Sequence, residues 1–378
     1  MPKAAPCVGS SHGWLAFNHL QNCHPYLYNP LMDSPHFPYI PLPSIETLPS
    51  FLAARLFKSD HFSPSPSLNT QFLISLYKIT NIEEEDADEL AVYPKDIDYF
   101  YVRRLVMSSP PSLPFYSSDS SSPGNDCTIM AIHSGSDSLA FCKPGDDSWT
   151  DLEGSLGCYS DLIYSSKNHR FYAMRSDYSI EAWDLRDPSS PKYQVFDSPD
   201  FCPGKLYHKF KGSYNFTFTN YLVESSGDLL VLRRFIALSV AETEFVHPRR
   251  SEDDVVNNIN DDERENLFLQ DDDAYWTLGF DVHKFDFDQS KWEPVDCLGD
   301  RALFVGSNHS FSLSTCHYPE LMKNSIYFTD HFLEGFNQIY DGHDNGVFHL
   351  AKNCIKPYYP RRLKIINPPP VWVAPNTM

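Results

Sequence analysis

A short theme recurs along this chain: an alternating apolar run, a turn rich in Gly, Asp and Ser, and a second apolar run. Residues 127–132 (CTIMAI) lead through 133–137 (HSGSD) to 138–142 (SLAFC), then through 143–147 (KPGDD) to a run that opens with Trp149. Residues 161–164 (DLIY), 170–174 (RFYAM), 180–185 (IEAWDL) and 192–196 (KYQVF) repeat the theme. So do 221–224 (YLVE), the turn 225–228 (SSGD) and 229–232 (LLVL), resuming at 279–287 (GFDVHKFDF) and 292–295 (WEPV). The last copy holds 302–306 (ALFVG), 310–313 (SFSL), 325–330 (SIYFTD) and 346–350 (GVFHL); the first is read from 14–17 (WLAF) and 26–28 (YLY). Period-two alternation bounded by turn residues marks half-buried strands. A unit of roughly 40–50 residues with four strands has the period of a propeller blade. One such meander cannot bury both its faces, whereas blades stacked around an axis bury them against one another. The expected fold is all-β: a β-propeller of about five to six four-stranded blades, the first read as incomplete. A pair of β-sandwiches is the competing architecture, disfavoured by the recurring unit length and the recurring Asp-turn-Trp pattern.

Composition agrees and narrows the partners. Aromatic residues reach 15% of the 378, which favours strands, and 30 prolines disfavour long helices. No apolar stretch approaches the ~18 residues of a membrane-spanning helix. The formal net charge is −20, so neither nucleic acid nor an anionic membrane is an expected partner. Residues 83–89 carry six acids and no base, and residues 251–273 carry ten acids and one Arg. Such blocks repel themselves and read as solvated loops; a docking surface for a basic partner is the sharper alternative. A calcium loop at Asp271–Asp273 is rejected, because the alternating ligands, Gly and distal Glu of an EF-hand are missing. Ser/Pro-rich stretches at 57–70 and 106–126 read as surface loops with phosphorylatable Ser-Pro sites. The expected organisation is a tail at 1–6, a single propeller at 7–366 with flexible loops near 57–70, 106–126 and 246–274, and a tail at 367–378. Contact of the segment around Val371, Trp372 and Val373 with the rest of the ring is the expected sign of closure.

Nine dispersed cysteines with no C-x-x-C pair, and no apolar signal segment before Gly9, point to reduced thiols packed as small hydrophobes in cytosol or nucleus. The sequons at Asn215 and Asn308 would then go unmodified.

Motifs that carry chemistry are weak. Gly9-Ser10-Ser11-His12-Gly13 fits the nucleophile-elbow pattern, but that motif needs a strand before it and a helix after it. It reads instead as a polar turn in which Ser10 or His12 bonds the main chain. His19, Cys23 and His24 lie close in sequence without a second ligand pair, and His317 and His343 are isolated. No catalytic, cofactor-binding or metal-binding residue is assigned. Trp149, Trp183 and Trp292 suit packing between blades. Arg301 reads first as a charge-assisted pin between blades and second as a residue at the mouth of the central channel.

Several blocks are familiar. Gly9–Phe17 followed by Tyr28-Asn29-Pro30, then residues 221–230 (YLVESSGDLL), open the resemblance. The most specific part is 292–295 (WEPV) running into 298–308 (LGDRALFVGSN), followed by 324–330 (NSIYFTD) and 344–348 (DNGVF). From residue 7 to about 355 the chain resembles the plant KIB-type β-propeller family, a domain long listed as of unknown function. Members commonly carry an F-box ahead of the propeller. The resemblance thus implies an adaptor in which the F-box docks to a Skp1-type subunit of a ubiquitin ligase and the propeller holds the target. No F-box is readable before Cys7, so Skp1 docking is not carried over, and target holding through an unidentified protein partner is. An enzyme using the central funnel, hydrolase-like, and a truncated family member with little activity are the alternatives.

Overall fold

The computed structural model describes residues 7–18, 24–32, 39–44, 47, 56–57, 73–74, 102–111, 127–133, 138–153, 158–197, 204–211, 216–238, 275–331, 342–359, 366 and 369–374. Five sheets succeed one another along the chain as the blades of a β-propeller. The first is β1 (Cys7–Ser11), β2 (Trp14–Phe17), β3 (Tyr26–Tyr28) and β4 (Tyr39–Pro41). A two-stranded ribbon of β5 (Leu56–Phe57) and β6 (Leu73–Ile74) follows. The second blade is β7 (Val102–Met107), β8 (Ile129–His133), β9 (Ser138–Cys142) and β10 (Thr150–Leu152). The third is β11 (Tyr159–Ser165), β12 (Arg170–Arg175), β13 (Ile180–Asp184) and β14 (Lys192–Phe196). A short helix, α1 (Lys205–Phe210), precedes the fourth blade of β15 (Phe216–Ser225), β16 (Asp228–Leu238), β17 (Tyr275–Asp286) and β18 (Lys291–Pro294). The fifth is β19 (Arg301–Val305), β20 (Phe311–Ser314), β21 (Ser325–Phe328), β22 (Gly346–His349) and β23 (Cys354–Pro357).

The alternation seen in sequence sets which side chains meet. In the third blade Phe171 pairs with Trp183 and Ala173 with Glu181, so residues two apart share a face. Each face then packs on the neighbouring blade. Ala16, Leu27 and Ile40 of the first blade cluster with Leu105, Ile129 and Ala140 of the second. Met130 and Phe141 meet Leu162 and Phe171 of the third. Ile163 and Met174 meet Leu222 and Phe285 of the fourth, and Leu232 and Val282 meet Leu303 and Ile326 of the fifth.

Four expectations are corrected. The first blade is a full four-stranded sheet. Residues 9–11 are not part of a turn but of its strand β1; the turn is only His12-Gly13, both at positive φ (51° and 79°), a type I′ hairpin. The strand was illegible because Gly and Ser stand where bulky residues would. A Cβ on Gly9 would lie 2.2 Å from the Leu105 carbonyl oxygen of β7, so the close approach of the two strands requires glycine. Val106 and Met107, read as loop, are buried in β7. The fifth sheet has five strands and is not a simple meander: β19 pairs antiparallel with β20 and parallel with β21. The expected loops at 246–274, the rest of 57–70 beyond β5 and residues 112–126 lie outside the described residues, as do Asp271–Asp273 and the tail at 1–6.

Candidate functional site

Two places in the fold gather functional groups: a buried polar belt among the blades, and an aromatic surface where the first and fifth blades face each other.

The belt starts at Arg104 on β7. Its Nε lies 2.7 Å from Asp161 Oδ1 on β11, with both side chains almost wholly buried. Arg104 Nη1 donates to the Ser307 carbonyl (3.0 Å), in the link between β19 and β20. Asp161 accepts from its neighbour Leu162 N (2.8 Å) and from Leu222 N on β15 (2.7 Å). Four blades are joined through one ion pair. Burial pushes the Asp161 carboxyl up, while Arg104 and the two main-chain N–H groups pull it back. Arg234, fully buried on β16, makes a second knot with the fifth blade. Its guanidinium donates to Thr277 Oγ1 (2.8 Å), the Thr329 carbonyl (2.7 Å) and Asp344 Oδ2 (2.9 Å). Its plane lies 4.7 Å above the Phe328 ring. Asp330 accepts from Tyr275 OH (2.8 Å), and burial, then the nearby Asp344 carboxylate, push its carboxyl up. Charges buried this deeply need such partners, since an uncompensated one costs several kcal/mol. Their chemistry is absorbed in joining sheets. Ser11 Oγ, the candidate nucleophile of the elbow pattern, lies 3.5 Å from the Met107 carbonyl. Among the described residues no group of three or more His, Cys, Asp or Glu could hold a metal ion.

The second place is a surface. In the first blade Phe17, Tyr26 and Tyr39 form an aromatic row across β2, β3 and β4, with centroid spacings of 5.5 and 4.9 Å. The strand register puts Phe17 and Tyr26 on the face opposite Ala16 and Leu27, hence away from the second blade. In the fifth blade Phe311, Phe304 and Tyr327 stack in a ladder at 4.8 and 4.8 Å, on the face opposite Leu303 and Val305. Trp372 stands edge-on to Phe304 at 5.0 Å. Large apolar side chains left in solvent collect around this junction. Tyr28 (37% exposed), Leu31 (69%), Met32 and Tyr39 (44%) lie on the β3–β4 hairpin; Met322, Tyr358 and Tyr359 lie on the fifth blade, and Val373 follows Trp372. Among the described residues only Tyr193 and Phe218 are comparably exposed elsewhere. Burial, then the neighbouring Tyr327, hold the Tyr358 phenol up at about 12, and burial raises Tyr39. These rings are therefore neutral at physiological pH: they can stack and hydrogen-bond without bringing charge.

The sequence profile of the KIB1-4 beta-propeller family matches residues 1–349. The chain belongs to that family. Among curated proteins it is similar to one of Arabidopsis thaliana named "Putative F-box protein At3g25750", 47% identical over 207 residues, 54% of this chain and 45% of that one. It is also similar to the F-box protein SKIP23 of the same plant, 24% identical over 257 residues, 65% of this chain and 53% of the relative. The chain thus spans about half the length of the curated relatives it matches.

In this KIB1-4 propeller the three tryptophans lie between blades. Trp149 Nε1 donates to the Pro43 carbonyl of the first blade's end (2.9 Å), Trp183 packs among second- and third-blade residues, and Trp292 Nε1 donates to the Tyr178 carbonyl (2.9 Å). The side-chain hydrogen bonds of Arg301 stay within its own blade. It bonds Ser312 on the adjacent strand β20, Nε to Oγ at 2.8 Å and Nη2 to the carbonyl at 3.1 Å. The reach to the fourth blade is indirect, through the Ser312–Ser225 hydroxyl pair at 2.9 Å. Ser10 does bond the main chain, accepting from Ala374 N. His343 is buried against Tyr275, His317 is exposed, and His19 and Cys23 lie outside the described residues. Of the cysteines, Cys127 and Cys142 are buried as expected, but Cys158, Cys297, Cys316 and Cys354 are exposed. Sequence reasoning missed Arg104 and Asp161. The signal for Arg104 was a charge inside the apolar run of residues 102–107 (VRRLVM), where only a paired one is tolerated.

Proposed function

We propose that this chain is a non-enzymatic protein-binding propeller that holds a target, as the propeller part of F-box adaptors of ubiquitin ligases is taken to do, and that it works in cytoplasm or nucleus. The observation that carries the reading is the collection of exposed, neutral aromatic and aliphatic side chains on both sides of the first–fifth junction. Large apolar side chains left exposed together on a protein surface are the usual mark of an interaction site. Its tyrosines supply large contact area at low entropic cost. The family match and the F-box names of the relatives support the same role. The enzyme alternative has no comparable support: the buried charges of the belt are spent on main-chain and ion-pair partners.

The test compares proteins captured from plant extract by the wild-type chain and by a Tyr28→Ser/Leu31→Ser/Tyr39→Ser variant, quantified by mass spectrometry. The reading predicts a small set of proteins depleted about tenfold or more by the triple change. Identical capture by both chains would remove this surface from consideration. Turnover in a hydrolase panel that disappears with Ser11→Ala would overturn the non-enzymatic assignment.

A further inference from the structure

The first–fifth junction differs from the other four in what fills it. Residues 369–374 (PPVWVA), remote in sequence from the first blade, run through it. Trp372 N donates to Asn308 Oδ1 (3.3 Å), and the Trp372 carbonyl accepts from Asn308 Nδ2 (2.7 Å). Two residues on, Ala374 N donates to Ser10 Oγ (3.0 Å), and the Ala374 carbonyl accepts from Gly13 N (2.8 Å). Pairing of both main-chain groups at every second residue is how an extended strand is read. One side chain is read as well: the Trp372 indole lies against Phe304, and its Nε1 donates to the Val305 carbonyl (2.9 Å). Glycine at 306 leaves room beside the indole, since a Cβ there would meet Thr329 Oγ1 first and would come 3.3 Å from the Trp372 Cδ1. Pro369 and Pro370 precede this anchor and stiffen the approach.

The contacts therefore ask little of a ligand's sequence: an extended main chain, and a tryptophan at one position. The segment is also lightly held, with Trp372 only half-buried and Val373 exposed, and exposed Tyr28 and Tyr39 on the first blade and Tyr358 on the fifth lie around the junction. We propose that the junction of the first and fifth blades is a peptide-binding groove, filled in cis by the strap at 369–374, and that a target enters it with a proline-preceded, tryptophan-anchored extended segment that displaces the strap. The inference rests on the reading of the chain as a target-holding propeller and names the chemistry of the target. A tethered strap competes at an effective concentration on the order of millimolar, so it holds the groove closed to weak ligands and yields to strong ones.

The test uses the full chain and a fluorescently labelled synthetic peptide of residues 366–375 (INPPPVWVAP). Trp372→Ala loosens the strap without touching the groove, and by anisotropy the peptide is expected to bind this variant about tenfold more tightly than wild type. Adding Asn308→Ala, or replacing the peptide's Trp by Ala, should reverse the gain. Equal binding to wild type and to a cooperatively melting Trp372→Ala chain would overturn the proposal, as would binding indifferent to Asn308. Should Trp372→Ala fail to fold, Ala374→Pro, which deletes the N–H given to Ser10, serves for the same comparison. A wild-type dimer that either variant turns into a monomer would show the strap exchanged between copies and overturn its assignment in cis. If the peptide fails while protein capture still depends on Tyr28, Leu31 and Tyr39, the groove falls and the target-holding role stands.

Discussion

The junction of the third and fourth blades and that of the fifth and first are built on opposite plans. At the former, Ile163, Tyr172 and Met174 from one sheet mesh with Leu222, Val231, Phe285 and Trp292 from the other, all buried. Arg233 closes the edge, its guanidinium 4.9 Å from the Tyr178 ring and 4.8 Å from Phe218. At the latter, each sheet presents an aromatic row, and a strap bonded mainly through its backbone lies between. Sheets adjacent in sequence find each other cheaply, because the loop to be closed is short. The last and first sheets are the farthest apart in sequence, so their join closes the longest loop. A ring so built concentrates stability in its sequential joins, which makes its final join the expected place of local opening.

The contrast can be broken by experiment. Trp292→Ala, at the meshed junction, is expected to cost about 3–5 kcal/mol in urea unfolding. A loss below about 1 kcal/mol would show that this junction is not the stronger one. Acid should attack the same place. His283 is buried on β17, and burial, then the Arg233 charge, hold its imidazole down at about 4. Below pH ~6.5 the unfolded chain takes up a proton that the fold refuses, so stability present above that pH is lost as pH falls from ~6.5 through about 4, by at most about 3 kcal/mol. His283→Gln should flatten that part of the profile, and an unchanged slope would remove His283 as its source. Trp372→Ala, at the strapped junction, is expected to cost only about 1–2 kcal/mol, since the ring it removes is half-buried. A cost equal to that of Trp292→Ala would erase the distinction. Tyr28→Ser and Tyr39→Ser should change stability by less than about 0.5 kcal/mol while reducing protein capture, and a larger destabilisation would make these rings part of the core.

How much of this was readable in advance follows from what each strand is made of. Strands such as Arg170–Arg175 and Ile180–Asp184 announced themselves, because one apolar side chain in two enters a neighbouring sheet and a Gly, Asp or Ser turn ends each run. The opening strands of the first and second blades did not. Cys7–Ser11 lies where strands crowd around the axis, so its positions select small residues, and small residues are also what turns are made of. The Trp residues were placed correctly between blades, because an indole needs more cover than one sheet gives. The parallel pair of β19 and β21 was invisible, since local periodicity carries no information on partner direction. The aromatic surface was invisible for a related reason: Phe17, Tyr26 and Phe304 follow the same alternation as core residues, and only the closed ring separates a face with a neighbouring blade from a face with a strap.

Asn308 illustrates what that last join asks of one residue. Its carboxamide presents a C=O and an N–H to Trp372 just as a backbone unit would, so a side chain does duty for a missing neighbour strand. A continuous edge tolerates a slip of two residues, whereas a lone amide beside an indole slot admits a single alignment. The same wholly enclosed nitrogen is the acceptor atom of the Asn308-His309-Ser310 sequon. A glycan there and a seated strap exclude each other, so any copy of this protein sugar-modified at Asn308 would carry its ring permanently unlatched.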